Sequence, residues 1–187
     1  ESNEKEALIF IHGYNTSFND AAIRTAQIGY DLKVKGLSAF FSWPSKGNLK
    51  NYRSDGEIIQ ESEIAMHSFI KNFIEKSGAT KVHLIAHSMG NRGFFRTLEK
   101  LRNDNVKFGQ IILAAPDMDS RLFKNSAKLY EELSERTTLY VSSQDLPVMY
   151  SKFLHENDRL GFAPPINIVD NIDTILVNQK FVNYLIN

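Results

Sequence analysis

The chain has 187 residues, the length of one ordinary domain, and a domain of that size buries roughly 70% of its unfolded surface in a single core. Its 22 Lys and Arg balance its 22 Asp and Glu, so no net field draws it toward nucleic acid, anionic lipid or other polyanions. There is no cysteine, which excludes disulfides, thiolate metal sites and a thiol nucleophile. No apolar run approaches the ~18 residues of a membrane span.

In chain order, short apolar runs alternate with stretches of helical period. The opening ESNEKE carries neither an initiating methionine nor a signal-peptide pattern. Residues 1–6 are therefore expected to be a flexible remnant of a processed N-terminus, on a soluble protein that is either cytoplasmic or exported. Predicted strands are ALIFI (7–11), LSAFFSW (37–43), KVHLIA (81–86), GQIILAA (109–115), TTLYVSS (137–143) and INIV (166–169). Several are apolar almost throughout, as strands covered on both faces of a parallel sheet must be.

Between the strands, three sets recur at helical spacing and read as buried stripes: Ile23, Ala26 and Tyr30; Phe94, Leu98 and Leu101; Phe123, Ala127 and Tyr130. A long helix is predicted over 57–77, carrying Ile59, Met66, Phe69, Ile70 and Phe73. Ser17 with Asp20 forms a capping box, and Gly36 and Gly78 stand where C-terminal caps belong. The alternation predicts a single doubly wound α/β domain over 1–187 with right-handed crossovers. Two stretches without a period, 44–56 and 157–165, are candidate walls of a site.

The third strand ends in LIAHSMGN (84–91). A strand, a tight turn holding Ser88 and then a helix is the context of a G-x-S-x-G nucleophile elbow, here with Ala86 in place of the first glycine. The following helix directs its N-terminal N–H groups at the same place, where developing negative charge is stabilised. The first strand runs into IHGYN, and an H-G-x turn there supplies one oxyanion-hole donor while the residue after the nucleophile supplies the other. Those N–H groups belong to Tyr14 and Met89.

The blocks FIHGYNTSF, FSWPS, VHLIAHSMGNR, ILAAPDMD and LYVSSQD resemble a family of bacterial α/β hydrolases long labelled a domain of unknown function, over residues 7–181. The resemblance implies an esterase- or lipase-like α/β-hydrolase core reduced to six parallel strands in the order 2-1-3-4-5-6, helices on both faces, and no large cap domain. It supplies no substrate.

Two aspartates follow strands at the carboxyl edge of the sheet, where ligand sites of open α/β folds lie. Asp117 follows the fourth strand and Asp145 the fifth, and the order Ser, acid, His permits either. The resemblance favours Asp145, and Asp117 in PDMDS is read as a helix cap. The acid accepts the histidine Nδ1–H and stabilises the imidazolium.

The five histidines are His12, His67, His83, His87 and His155. In the family the catalytic histidine follows the last strand in a D-T-x-x-x-x-H pattern, whereas DTILVNQKF places Gln179 there. Glutamine bonds but takes no proton at neutral pH. His87 adjoins the nucleophile and should project away from it. His83 lies about 16 Å back along the strand. His67 is read as a packing or surface residue and His12 as orienting the oxyanion turn; His155 is the one candidate for a substitute base, with a helix-terminal or substrate-pocket role as its preferred reading. A deliberate substitution, a natural loss and a divergent tail all remain open as origins of Gln179.

The sequence thus predicts a serine hydrolase of carboxylic esters, impaired as it stands, acting on a small-molecule ester or acyl substrate. The expected site is Ser88, Asp145 and the Gln179 position, with Tyr14 and Met89 as the oxyanion hole. Phe18, Trp43, Tyr52, Met149, Phe153 and Phe162 are expected to offer an apolar pocket. No cofactor is required, and no metal is expected because no H-x-x-x-H spacing occurs. Two rivals stand beside this reading: a non-catalytic hydrolase-like binding module, and an acyltransferase using the same residues.

Overall fold

A computed structural model describes residues 5–46, 51–143, 148, 151 and 157–177. Six strands form one sheet in the order β2-β1-β3-β4-β5-β6, every neighbouring pair parallel. They are β1 (Glu6–Ile11), β2 (Leu37–Phe41), β3 (Lys81–His87), β4 (Phe108–Ala114), β5 (Ser134–Ser142) and β6 (Ile172–Val177). Among the described residues five helices lie between them: α1 (Phe18–Asp31), α2 (Tyr52–Glu61), α3 (Glu63–Lys76), α4 (Gly90–Asn103) and α5 (Ser120–Leu133). The predicted strand order and helical layers are present, and among the described residues there is no cap domain.

Every residue of β1 from Ala7 to Ile11 is buried, because helices cover both sides of it. Ala7, Ile9 and Ile11 face a large core built with Ile59, Met66, Ile70, Phe94, Leu98, Phe123 and Tyr130 from α2 to α5. Leu8 and Phe10 face a smaller cluster with Ile28 of α1 and Phe40. The predicted stripes of α4 and α5 are buried as expected, and Ser17 and Asp20 close a reciprocal capping box on α1.

Several expectations are corrected. The stripe Ile23, Ala26 and Tyr30 faces outward, with Ile23 60% and Tyr30 84% exposed; α1 meets the sheet through Ala21, Thr25 and Ile28, the polar Thr25 being satisfied by the Ala21 carbonyl at 2.7 Å. The sixth strand is IDTILV at 172–177, and 166–169 contributes only a bridge at Val169. The segment 44–56 is partly helical, since α2 begins at Tyr52, and the long helix divides at Ser62. There the Ser62 hydroxyl donates to the Ile58 carbonyl at 2.8 Å, a back-bond that bends helices. β1 starts at Glu6, inside the stretch expected to be a flexible remnant.

The two cap glycines differ. Gly78 follows α3 at φ +64° with open space beside it, the left-handed cap that was expected. Gly36 caps nothing, because α1 ends at Leu32 and the left-handed residue after it is Lys33. Gly36 is instead where β2 passes β1, and a Cβ there would lie 1.8 Å from the Glu6 carbonyl oxygen. Urea unfolding should accordingly find Gly36→Ala destabilised by about 2–3 kcal/mol through backbone displacement, and Gly78→Ala by only about 1 kcal/mol, the cost of a left-handed Cβ.

Candidate active site

The strand order reverses direction of growth at β1: the chain moves outward to β2, then back across β1 to β3. Open α/β sheets place their ligand crevice outside the carboxyl ends of strands at such a switch point. The β1 exit carries His12, Gly13 and Tyr14, and the β3 exit carries Ser88. Both sequence-predicted motifs therefore meet here.

Ser88 adopts φ +49°, the left-handed region that costs an L-residue of order 1 kcal/mol or more. Its backbone is fastened on all sides. The Ser88 N–H donates to the Ala114 carbonyl at 2.9 Å, continuing the sheet ladder, and the Ser88 carbonyl accepts from the Asn91 N–H at 3.1 Å and the Asp117 N–H at 3.2 Å. The buried Asn91 side chain donates from Nδ2 to the carbonyls of Ala86 at 2.9 Å and Ser88 at 3.0 Å. Sequence reading missed Asn91, although an amide in the first turn after an elbow is the visible signal.

The two turns are in direct contact. A Cβ on Gly13 would lie 2.9 Å from both Ser88 Cβ and His87 Nδ1, and one on Gly90 would lie 2.6 Å from the His12 carbonyl oxygen. Glycine is needed at both places so that the backbones can touch. Met89 precedes the first residue of α4, so its N–H lies at the positive end of the helix. Tyr14, part-buried, lies on the turn facing it, followed by Asn15 at φ +55°.

His12 holds that turn from behind. A carbonyl can only accept, so Nδ1–H donates to the Gly13 oxygen at 2.7 Å. The ring stacks on Trp43 at 5.1 Å, and the Trp43 indole donates to the His12 carbonyl at 2.8 Å. Nearby, Asp55 is fully buried and accepts from Ser45 Oγ at 2.7 Å and the Lys46 N–H at 3.1 Å.

Asp117 is corrected from helix cap to the hub of a buried polar network. The cap of α5 is Asp119, which accepts from the Arg121 N–H at 2.8 Å. Asp117 is 2% exposed. Its carboxylate pairs with Arg92 at 2.9 Å, lies 3.5 Å from Arg159 Nε, and accepts from the hydroxyls of Tyr52 and Ser151. The Arg92 Nε–H also donates to the Asp117 carbonyl at 2.6 Å. Burial, and then the Asp117 charge, raise the Tyr52 phenol well above its ordinary value, so the hydroxyl stays protonated and donates.

The remaining sequence-predicted positions separate. Trp43 and Tyr52 are buried with their polar atoms engaged, so they support the turn and offer an acyl chain little surface. Phe18 is mostly exposed and packs on Phe40 at 5.1 Å, while Phe162 is half-buried, bridged to Ser142, the last residue of β5. His67 pairs with Asp104 at 2.7 Å and His83 accepts from the Gln110 N–H at 3.1 Å, both scaffold roles. Asp145, Met149, Phe153, His155 and Gln179 lie outside the described residues.

His12 and His87 are both held below the ordinary imidazole value, chiefly by burial, His87 down to about 4 under the added influence of Arg24 and His12. Below the ordinary value of 6.5 the unfolded chain takes up protons that the folded chain refuses. Stability is therefore full above that pH and falls as the pH drops toward about 4. Lowering the pH from about 7.5 to about 5.5, still above the range where carboxylates titrate, should cost roughly 1.4 kcal/mol through His87 alone. Urea titrations at the two pH values measure this, and His87→Asn should flatten the difference.

The chain is similar over the whole of this architecture to known proteins. The family model for an α/β hydrolase of unknown function, DUF900, matches residues 1–174. The uncharacterized protein alr1448 of Nostoc sp. is 31% identical over 124 residues, 53% of this chain and 32% of that protein, so the chain spans about a third of its relative's length. Among solved structures, a Pyrobaculum calidifontis esterase gives a TM-score of 0.52 at 12% identity, covering 100% of this chain and 72% of the esterase. The Pyrococcus furiosus esterase Pf2001 gives 0.51 at 11% identity, covering 95% and 75%, and a CIB-like hydrolase of Thermoplasma acidophilum gives 0.50 at 15% identity, covering 95% and 77%. With the family pattern matched across both turns and all but the end of the sheet, this chain belongs to the DUF900 family of α/β hydrolases.

Proposed function

We propose that the chain is built as a serine hydrolase of carboxylic esters, with Ser88 as nucleophile. One observation carries the reading: Ser88 is held at φ +49° with its side chain against the Gly13 turn at the switch point. Attack by Ser88 Oγ on an ester carbonyl would place negative charge on the former carbonyl oxygen. The N–H groups of Met89 and Tyr14 would receive it, aided by the N-terminus of α4. The esterases among the structural neighbours support the substrate class by likeness of fold.

In this reading Asp145 is the acid, and Gln179 occupies the place of the base. The chain as it stands would form the acyl-enzyme slowly, because glutamine cannot take the serine proton, and loss of the histidine costs about 10⁶ in kcat in a worked serine hydrolase. His155 is the substitute base within reach in sequence. Phe18, Phe162, Met149 and Phe153 would offer the acyl chain its apolar contacts. The Gln179 position also favours a second reading, a non-catalytic hydrolase-like module that binds acyl ligands.

A fluorophosphonate probe with intact-mass readout, and hydrolysis of short p-nitrophenyl esters, separate the two. Gln179→His should label at Ser88 and raise ester turnover by at least ~10³ over the starting chain, and Ser88→Ala in that background should abolish both. A Gln179→His protein that neither labels nor hydrolyses would leave the binding module as the function. If the starting chain already turns over esters, His155→Ala should remove that activity. Adding an alcohol or amine acceptor reveals acyl transfer as a new ester or amide product.

A further inference from the structure

The buried network around Asp117 is larger than a helix cap or a stability device would require, and it touches both halves of the site. Asp117 leaves β4 directly beneath the elbow, and its N–H donates to the Ser88 carbonyl at 3.2 Å. Arg92, one turn into α4 from the nucleophile, pairs with the Asp117 carboxylate at 2.9 Å and its carbonyl at 2.6 Å. The same guanidinium donates to the Tyr52 hydroxyl, with its carbon 5.4 Å from the centre of that ring. The Tyr52 hydroxyl donates to Asp117, so the ring is fixed at its polar end by both members of the ion pair. The same ring meets Tyr14 edge to face, at 5.3 Å between centroids and 78°.

We propose that Tyr52 is a positioning residue for the Ser88 reaction: clamped by Asp117 and Arg92, its ring fixes Tyr14 and so aims the Tyr14 N–H at the developing oxyanion. The proposal rests on the reading of Ser88 as nucleophile. Its physical reason lies in the turn. His12 holds the peptide that carries the Tyr14 N–H on its carbonyl side, at the Gly13 oxygen, and the Tyr52 ring holds the Tyr14 side chain, ahead of the left-handed Asn15 at φ +55°. An oxyanion donor works only within about 2.7–3.1 Å of the charge it receives. The aromatic pair supplies a second restraint beside the His12 bond, and the buried ion pair sets where the aromatic pair stands relative to the elbow, because Asp117 is bonded to both.

The test uses the full chain carrying Gln179→His as parent and follows p-nitrophenyl butyrate hydrolysis well below the melting point of each variant. Tyr52→Leu, which removes the ring, should lower kcat by about 10- to 100-fold with KM within about 2-fold, because the lost interaction exists only in the transition state. Tyr52→Phe keeps the ring but gives up the hydroxyl clamp, and should fall between the parent and Tyr52→Leu, losing about 3- to 10-fold in kcat. Affinity for an alkylboronic acid, which forms a tetrahedral adduct on Ser88, should fall in parallel with kcat. Tyr14→Leu removes the same contact from the other side and should reproduce the loss even if Tyr52→Leu fails to fold. The double variant should be no worse than either single one. A folded Tyr52→Leu or Tyr14→Leu with the parent's kcat and boronate affinity would overturn the positioning role while leaving the Ser88 reading intact. A parent with no turnover and no labelling at Ser88 would overturn the reading itself, and this proposal with it.

Discussion

The backbone contact between the ends of β1 and β3 governs the rest of the molecule. Side-chain volume is excluded there: a Cβ on Gly13 would strike Ser88 and His87, and one on Gly90 would strike the carbonyls of His12 and Ile11. The sheet order makes the contact possible, since only neighbouring strands diverging at a switch point leave room for two turns side by side. Once the turns touch, Ser88 must take φ +49° for the chain to reverse into α4. The strain is held by the bonds to Ala114, Asn91 and Asp117. A left-handed serine of this kind persists only where its surroundings over-determine it.

The two sides of the contact are supported by different physics. On the His12 side the support is neutral and aromatic: an imidazole stacked on Trp43 and an indole bonded to the turn's own carbonyl. On the Asp117 side it is ionic, with Arg92 and Arg159 around one buried carboxylate. Buried ion pairs are weak sources of stability, because desolvation offsets most of their attraction, yet breaking one is severe. A pair of that kind contributes position more than free energy. Its placement under the elbow, with one bond to the Ser88 carbonyl, gives the position a use.

Much of this was legible in the sequence where local pattern and tertiary outcome agree. The capping box at Ser17, the stripes of α4 and α5 and the Gly78 cap are decided within a turn or two of chain, and the structure contains them. The elbow and the H-G-Y turn were legible because their spacing and order encode a contact between strand ends. The misses are places where distant chain decides. Ile23 and Tyr30 have helical spacing, but Ala21, Thr25 and Ile28 take the inner face, since a polar Thr25 can be buried once its hydroxyl finds the Ala21 carbonyl. Gly36 is explained by Glu6, thirty residues earlier in the chain. Asp117 and Asp119 are equivalent as caps in sequence, and only the arrival of Arg92, Tyr52 and Ser151 separates them. INIV has strand composition, yet pairing begins at Ile172, beyond the turn at Asn171.

An intact elbow does not by itself separate an enzyme from a binding module, because Gly13, Gly90, Asn91 and Asp117 all have work in the fold that loss of a base would leave untouched. The residue with least structural justification is the serine. At φ +49° a glycine would relieve the strain, having no Cβ to clash. The Ser88 backbone N–H and carbonyl, which make the bonds that fasten the elbow, would survive that exchange. What the fold carries at position 88, against its own conformational preference, is a hydroxyl. Such a group is explained by what it does to a ligand rather than by what it does for the sheet, and that asymmetry weighs for the reading of Ser88 as a nucleophile.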